Sequence, residues 1–206
     1  MILMRFGTER DGGKIKGDCE VKGYENWIVL ESFDFSVGRK IEAAEKGGGR
    51  DIETGKGEPQ EISISKTVDR ATPYLMIQSI QDRMPGNTST PDVIDIHCVQ
   101  TQSTDFRAGK SGQAKSETKS DLKAYLKICL GRALLKTWSI SSDVDGRPTE
   151  NLSIWFTQLA ILYRRHKVDR NEQTGDPIVT FEPYGPKGWD QLAGGKGGEW
   201  KPPHWK

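Results

Sequence analysis

A chain of 206 residues fits one domain around one core, since domains commonly run to about 100–200 residues. Its 30 basic and 29 acidic side chains nearly cancel, which removes any global draw toward nucleic acid or an anionic membrane. An apolar share of 34% lies below the roughly 45–50% of a typical globular domain, and with 23 glycines it suits short strands joined by polar loops.

The amino terminus is apolar only from Met1 to Met4 before charge and glycine arrive. That is too short for a signal-peptide core or a membrane span, so neither a signal peptide nor membrane insertion is expected. Ile2 to Phe6 reads as the first strand. Trp27 to Val37 reads as the next, with Phe33 and Phe35 on one face and Ser32, Asp34 and Ser36 on the other. Lys40 to Pro59, rich in Gly, Lys and Glu and without apolar periodicity, reads as a polar loop, mobile in an isolated subunit. Glu61 to Thr67 is a further strand.

Thr72 to Arg83 breaks the strand pattern. A capping hydroxyl at Thr72 is followed by Pro73, where the first helical turn needs no donor. Leu75, Met76, Ser79 and Ile80 then share one face, and Met84-Pro85-Gly86 ends the run. The spacing predicts one short helix, placed across one mouth of a barrel.

Val93 to Gln100 is a strand carrying His97 near Asp95; the expectation is a surface or interface histidine whose pKa the carboxylate raises. Ser103 to Ser120 reads as a second polar loop. Leu122 to Leu130 gives the cleanest alternation in the chain, with Leu122, Ala124, Leu126, Ile128 and Leu130 on one face. Leu134 to Ser142 and Ile178 to Phe181 are shorter strand candidates. Leu152 to Tyr163 alternates with one step out of phase between Phe156 and Leu159, which predicts a bulge near Thr157 and Gln158. About eight strands with a single helix make a mainly β fold: a β-barrel of two packed antiparallel sheets with one short flanking α-helix. Residues 1–190 form the domain, and residues 191–206 a flexible tail.

Chemistry is sparse. Gly55-Lys56 and Gly109-Lys110-Ser111 carry Arg50 and Thr104 where a phosphate loop needs its first glycine, and no helix follows either. His97, His166 and His204 stand at no zinc-site spacing from a cysteine or carboxylate. Cys19, Cys98 and Cys129 are odd in number and far apart, which reads as free thiols; whether any links neighbouring subunits is left open. No serine sits in a nucleophile elbow. No catalytic, cofactor-binding or metal-ligating residue is expected, although a carboxylate pair across a sheet face keeps a glycosidase open.

Several segments, in order, resemble the Hcp family, the tube subunits of bacterial type VI secretion systems. They are Gly17-Asp18, Trp27 to Ser36, Gly47-Gly48-Gly49, Ile62 to Lys66 with Asp69, Thr72 to Met76, Glu150 to Ile154 with the strand through Tyr163, and Gly188-Trp189-Asp190. The resemblance implies hexameric rings that stack into a tube within a contractile sheath and carry small effectors in the bore. It implies no enzymatic activity and no cofactor. The implied partners are the chain itself, sheath and spike proteins, and secreted effectors. The implied location is the bacterial cytoplasm before firing, then the exterior or a target cell. On this reading Ser32, Asp34 and Ser36 face the lumen, and Gly47, Gly48, Gly49, Arg50 and Lys56 belong to a ring-stacking loop.

Two stretches depart from the family pattern: the loop at residues 103–120, and the tail with Trp200, Pro202, Pro203 and Trp205, which suits a docking strip or, as its composition favours, a disordered end. The same residues are also compatible with a phage-like tail tube protein, which shares barrel and ring, or with a monomeric β-sandwich that binds carbohydrate through exposed tryptophans.

Overall fold

The computed structural model describes residues 1–7, 14–43, 52–81, 93–102, 121–144, 146–170, 177–193 and 199–205. Twelve strands and one helix follow in chain order among these residues: β1 (Ile2–Phe6), β2 (Ile28–Leu30), β3 (Ser32–Asp34), β4 (Val37–Ala43), β5 (Ile52–Pro59), β6 (Ile62–Thr67), α1 (Thr72–Ile80), β7 (Val93–Gln102), β8 (Asp121–Gly131), β9 (Leu134–Ser141), β10 (Thr149–Trp155), β11 (Gln158–Arg170) and β12 (Pro177–Asp190). A short 3-10 turn over Gln191–Ala193 ends the last strand.

All strand pairs are antiparallel. They form a six-stranded sheet ordered β12-β11-β8-β7-β1-β2, a four-stranded sheet ordered β3-β6-β10-β9, and a β4-β5 ribbon. The expected two packed sheets with one helix are present, but the sheets keep open edges and do not join into a closed barrel.

Period-two side-chain direction explains the core. On the inner face of the six-stranded sheet, Met4, Ile96, Ile128 and Ile161 lie in one cross-strand row, and Phe6, Ile94, Leu130 and Leu159 in the next. They pack against Ile62, Ile64, Leu152 and Ile154 of the four-stranded sheet in one apolar cluster. Every CH₂ removed from water there contributes about 0.8 kcal/mol.

Two expectations are corrected by the way the chain passes between sheets. Trp27 to Val37 is not one strand: β2 belongs to the six-stranded sheet and β3 to the four-stranded sheet, with the Glu31 amide donating to the Ser65 carbonyl at the crossing. The out-of-phase step at Thr157 and Gln158 is likewise no bulge, because β10 and β11 lie in different sheets. Bulges occur elsewhere, between Cys98 and Val99 and between Ser153 and Ile154.

The segment read as a polar loop over residues 40–59 is largely a ribbon. Val37–Ala43 pairs with Ile52–Pro59, and the tip between them lies outside the described residues. A two-stranded ribbon has no core to face, so its sequence carries no apolar alternation. The loop at residues 103–120 also lies outside the described residues.

Helix α1 ends at Ile80, earlier than Arg83, and packs beside β9 through buried Leu75. Its Thr72 hydroxyl does not cap the helix. Ala71 holds the N-cap position, its amide donating to Asp69 Oδ1 at 2.9 Å. The Thr72 hydroxyl instead accepts from the Asp69 amide and donates to Glu150. Ile80 is 72% exposed, so the apolar face of the helix is only partly covered.

Under the helix start lies a buried ion network. Lys66 is fully buried, with its Nζ 2.9 Å from Asp69 Oδ1 and 3.4 Å from Glu150 Oε1, and it also donates to the Thr67 carbonyl at 2.7 Å. Glu150 Oε2 accepts from the Trp138 indole at 3.2 Å. Each charge is therefore compensated, as low-dielectric burial requires.

Candidate functional site

The outward face of the four-stranded sheet is hydroxyl-rich. Because successive residues alternate in direction, the positions between the core residues line up in two cross-strand rows. One row runs Ser32, Ser65, Asn151, Ser139; the next runs Asp34, Ser63, Ser153, Thr137. These side chains border an open, shallow depression. Thr137 and Ser153 share a hydrogen bond at 2.8 Å, and the Ser139 hydroxyl donates to the Asn151 carbonyl at 3.4 Å. Along these two rows every outward side chain carries a hydroxyl, amide or carboxylate, and none is a large apolar group suited to lasting adhesion.

Of the residues singled out in the sequence, Ser32 and Asp34 sit on this face, exposed. Phe33 and Phe35 turn inward against the core, as their alternation predicts. Ser36 is exposed but lies past the end of β3, where its carbonyl accepts from the Gln60 amide at 2.9 Å. Gly47, Gly48, Gly49 and Arg50 lie outside the described residues; Lys56 is in β5, and its side chain is not described. The remaining members of the face, Ser63, Ser65, Thr137, Ser139, Asn151 and Ser153, went unassigned in the sequence. Their signal was the polar half of the alternation in β6, β9 and β10.

The outer face of the six-stranded sheet is different. One cross-strand row reads Arg5, Asp95, Cys129, Ala160, Gly188. Two irregular segments cover this face: one brings Cys19, Val21, Tyr24 and Trp27 beside Leu3, Val99 and Ala124, and the other brings Trp200 and Trp205 beside Val93, Cys129 and Ala160. Residues 199–205, read from the sequence as part of a flexible end, therefore form a strap against the sheet, with Pro202 buried.

Asp95 lies between the two covers, fully buried. Its Oδ2 accepts from Arg5 Nη2 at 2.8 Å and Nε at 3.1 Å, and from His204 Nε2 at 2.8 Å. Burial alone would raise its pKa, but the hydrogen bond and charge of His204 and the charge of Arg5 outweigh that and hold it at about 2.

His97, expected at the surface or an interface with a raised pKa, is buried within the chain against Trp27, 4.8 Å between ring centres, and Tyr24 at 5.8 Å. Desolvation, aided by the Lys127 charge, lowers its pKa to about 3 and overrides the attraction of Asp95. The three cysteines are free and buried, and burial pushes the Cys129 thiol far up. Asp95, Cys129 and His204 come together with their donor atoms within 4.8 Å of one another. Sequence spacing could not show this, because His204 arrives from the end of the chain. Among the described residues no helix is long and apolar enough to cross a membrane.

Comparison with known proteins gives a consistent outcome. The profile of the family described as "Type VI secretion system effector, Hcp" matches residues 8–163. No curated protein matches the sequence. Among solved structures, the fold is similar to a type six secretion system protein at TM-score 0.62 and 15% identity, covering 94% of this chain and 98% of that one. It is also similar to the Hcp1 protein of E. coli EAEC 042, at TM-score 0.55 and 13% identity over 88% of this chain and 96% of that one. A type VI secretion system effector from Yersinia pestis matches at TM-score 0.51 and 12% identity, over 89% of this chain and 98% of that one. With a match spanning most of its length, the chain belongs to the Hcp family of type VI secretion proteins.

Proposed function

We propose that this chain is the structural tube subunit of a type VI secretion system. Its copies close into hexameric rings that stack into an expelled tube, with small effectors carried in the bore. Family membership supports the tube role, and the two hydroxyl rows on the four-stranded sheet carry the assignment of the bore. A bore through which cargo slides needs solvated, non-adhesive walls, and the two rows supply them, with Trp155 at the end of β10 the large apolar side chain on the same face. Ser32 and Asp34 are then lumen-facing, with Ser36 at the rim.

Open strand edges fit the same role. The β4-β5 ribbon and the distal half of the β11-β12 pair extend beyond the main sheets, where each edge is a template for a neighbouring copy. A ring formed by such heterologous contacts buries those edges and removes the aggregation hazard. The ribbon, with Lys56 in β5, and the residues Gly47, Gly48, Gly49 and Arg50 that come between its two strands in the sequence are assigned to contact with the next ring. The sheath surrounds the tube and the spike caps it. The protein acts by geometry and not by catalysis, is held in the bacterial cytoplasm before firing, and leaves the cell with the tube.

Electron microscopy of the purified protein tests this reading. Annular particles with a hollow centre are expected; compact solitary particles at high concentration would overturn it.

A further inference from the structure

We propose that Asp95, Cys129 and His204 form a binding site for one zinc-class transition-metal ion, which fastens the carboxy-terminal strap to the outer face of the six-stranded sheet. The three donors, a carboxylate oxygen, a thiol sulfur and an imidazole nitrogen, lie within 4.8 Å of one another. Asp95 and Cys129 are direct cross-strand partners on β7 and β8, so their placement is fixed by the sheet. His204 is delivered by the strap, which Trp200 and Trp205 seat on Val93, Cys129 and Ala160.

A second observation points to a ligand. Asp95 Oδ1 and His204 Nδ1 are buried, and neither has a hydrogen-bond partner. Unpartnered polar atoms withdrawn from water are costly, and a native fold rarely leaves one on each of two side chains already joined by a hydrogen bond without reason. An ion in the cluster uses donor capacity that is otherwise wasted.

Donor chemistry selects the ion. Sulfur and nitrogen disfavour magnesium and calcium, which take oxygen ligands, and favour zinc and its neighbours. A carboxylate and a thiolate together bring two negative charges, matching a divalent cation. Arg5 stays on Asp95 Oδ2 as an outer partner that fixes the carboxylate. Three protein donors leave one tetrahedral position for water. Binding forms a metal–sulfur bond and releases the Cys129 thiol proton to solvent; an imidazolium at His204 releases its proton as well. No electron is transferred.

The experiment is titration of the purified full-length protein with cobalt(II), read by the thiolate-to-cobalt charge-transfer absorption and followed by zinc competition. One equivalent per chain is expected, displaced by zinc. Cys129→Ser abolishes the band. His204→Ala, on a partly exposed strap residue whose loss leaves the sheets intact, weakens cobalt binding at least about 10-fold, the lower end of what losing even an outer partner costs. Absence of a thiolate band in the native protein, or unchanged cobalt affinity in His204→Ala, overturns the proposal. Should Cys129→Ser fail to fold, the His204→Ala titration decides alone.

Discussion

Gly188 and Trp200 approach so closely that a Cβ on the glycine would overlap the tryptophan carbonyl oxygen. Gly131, two strands away, has its own Cβ position 2.8 Å from the Trp200 ring. With Ala160 between them on β11, these small residues form a trough in which the strap lies. Gly188→Ala is expected to lift the strap and destabilise the protein by about 2 kcal/mol, a fraction of the roughly 3–5 kcal/mol lost when a fully buried tryptophan is truncated. In a chain ending at residue 198, the same substitution is expected to cost little further, since the two changes remove one interaction. Urea unfolding of the four proteins at equal concentration checks this, and additive losses would contradict it.

The Lys66–Glu150 pair gives a second prediction. Glu150→Ala leaves a fully buried ammonium with Asp69 as its remaining carboxylate and strips the Trp138 indole and Thr72 hydroxyl of their acceptor. A loss of about 3 kcal/mol is expected, near the low end for breaking a buried pair. Lys66→Met combined with Glu150→Leu removes both charges and is expected to cost clearly less than Glu150→Ala. Unfolding free energies measured for the three chains distinguish this from a network in which each charge acts alone.

His97 sets a pH dependence. Its folded pKa is depressed to about 3, mainly by desolvation, against an ordinary value of 6.5. Between those values the unfolded chain holds a proton that the folded chain does not, so stability is fully present above pH 6.5 and declines as pH falls toward 3. The slope approaches about 1.4 kcal/mol per pH unit, the limit for one proton. Groups that act on His97 are Arg5, Asp95, Lys127 and His204, and Tyr24 packs against its ring. Both His97 ring nitrogens are buried without partners, so His97→Phe is expected to keep neutral-pH stability within about 1 kcal/mol while removing this slope. Urea midpoints at pH 7 and pH 4.5 in the presence of chelator are the readout; an unchanged slope in His97→Phe would show that another group carries it.

Phase slips mark what the sequence could and could not convey. Ile28 and Leu30 face the core from even positions and Phe33 and Phe35 from odd ones; Leu152, Ile154 and Phe156 are followed by Leu159 and Ile161 in the same way. Both slips are places where the chain crosses between sheets. Alternation therefore exposes the strands and the polar face of Ser32 and Asp34, but a slip alone cannot distinguish a bulge from a crossing. The β4-β5 ribbon pairs only with itself and joins neither main sheet, so its sequence carries no core periodicity to reveal it. Trp200, Pro202 and Trp205 bind as irregular chain, and their seat depends on Gly131 and Gly188 from distant strands, a match visible only once β8, β11 and β12 lie side by side.

The bore assignment makes its own prediction. Ser63→Leu with Ser153→Leu places two apolar groups on one outward hydroxyl row, and the lost Thr137–Ser153 hydrogen bond is expected to cost only about 1 kcal/mol. Ring mass is expected to be unchanged while co-purification of small effectors or tube secretion falls. Unaltered secretion and cargo in that double variant would move the bore to another face.

The mass of the purified protein in solution, from size-exclusion chromatography with light scattering, tests the central claim most directly. A closed ring predicts a particle about six times the 23.0 kDa of one chain, stable on dilution through the micromolar range. A particle that remains at 23.0 kDa at every concentration would contradict the account.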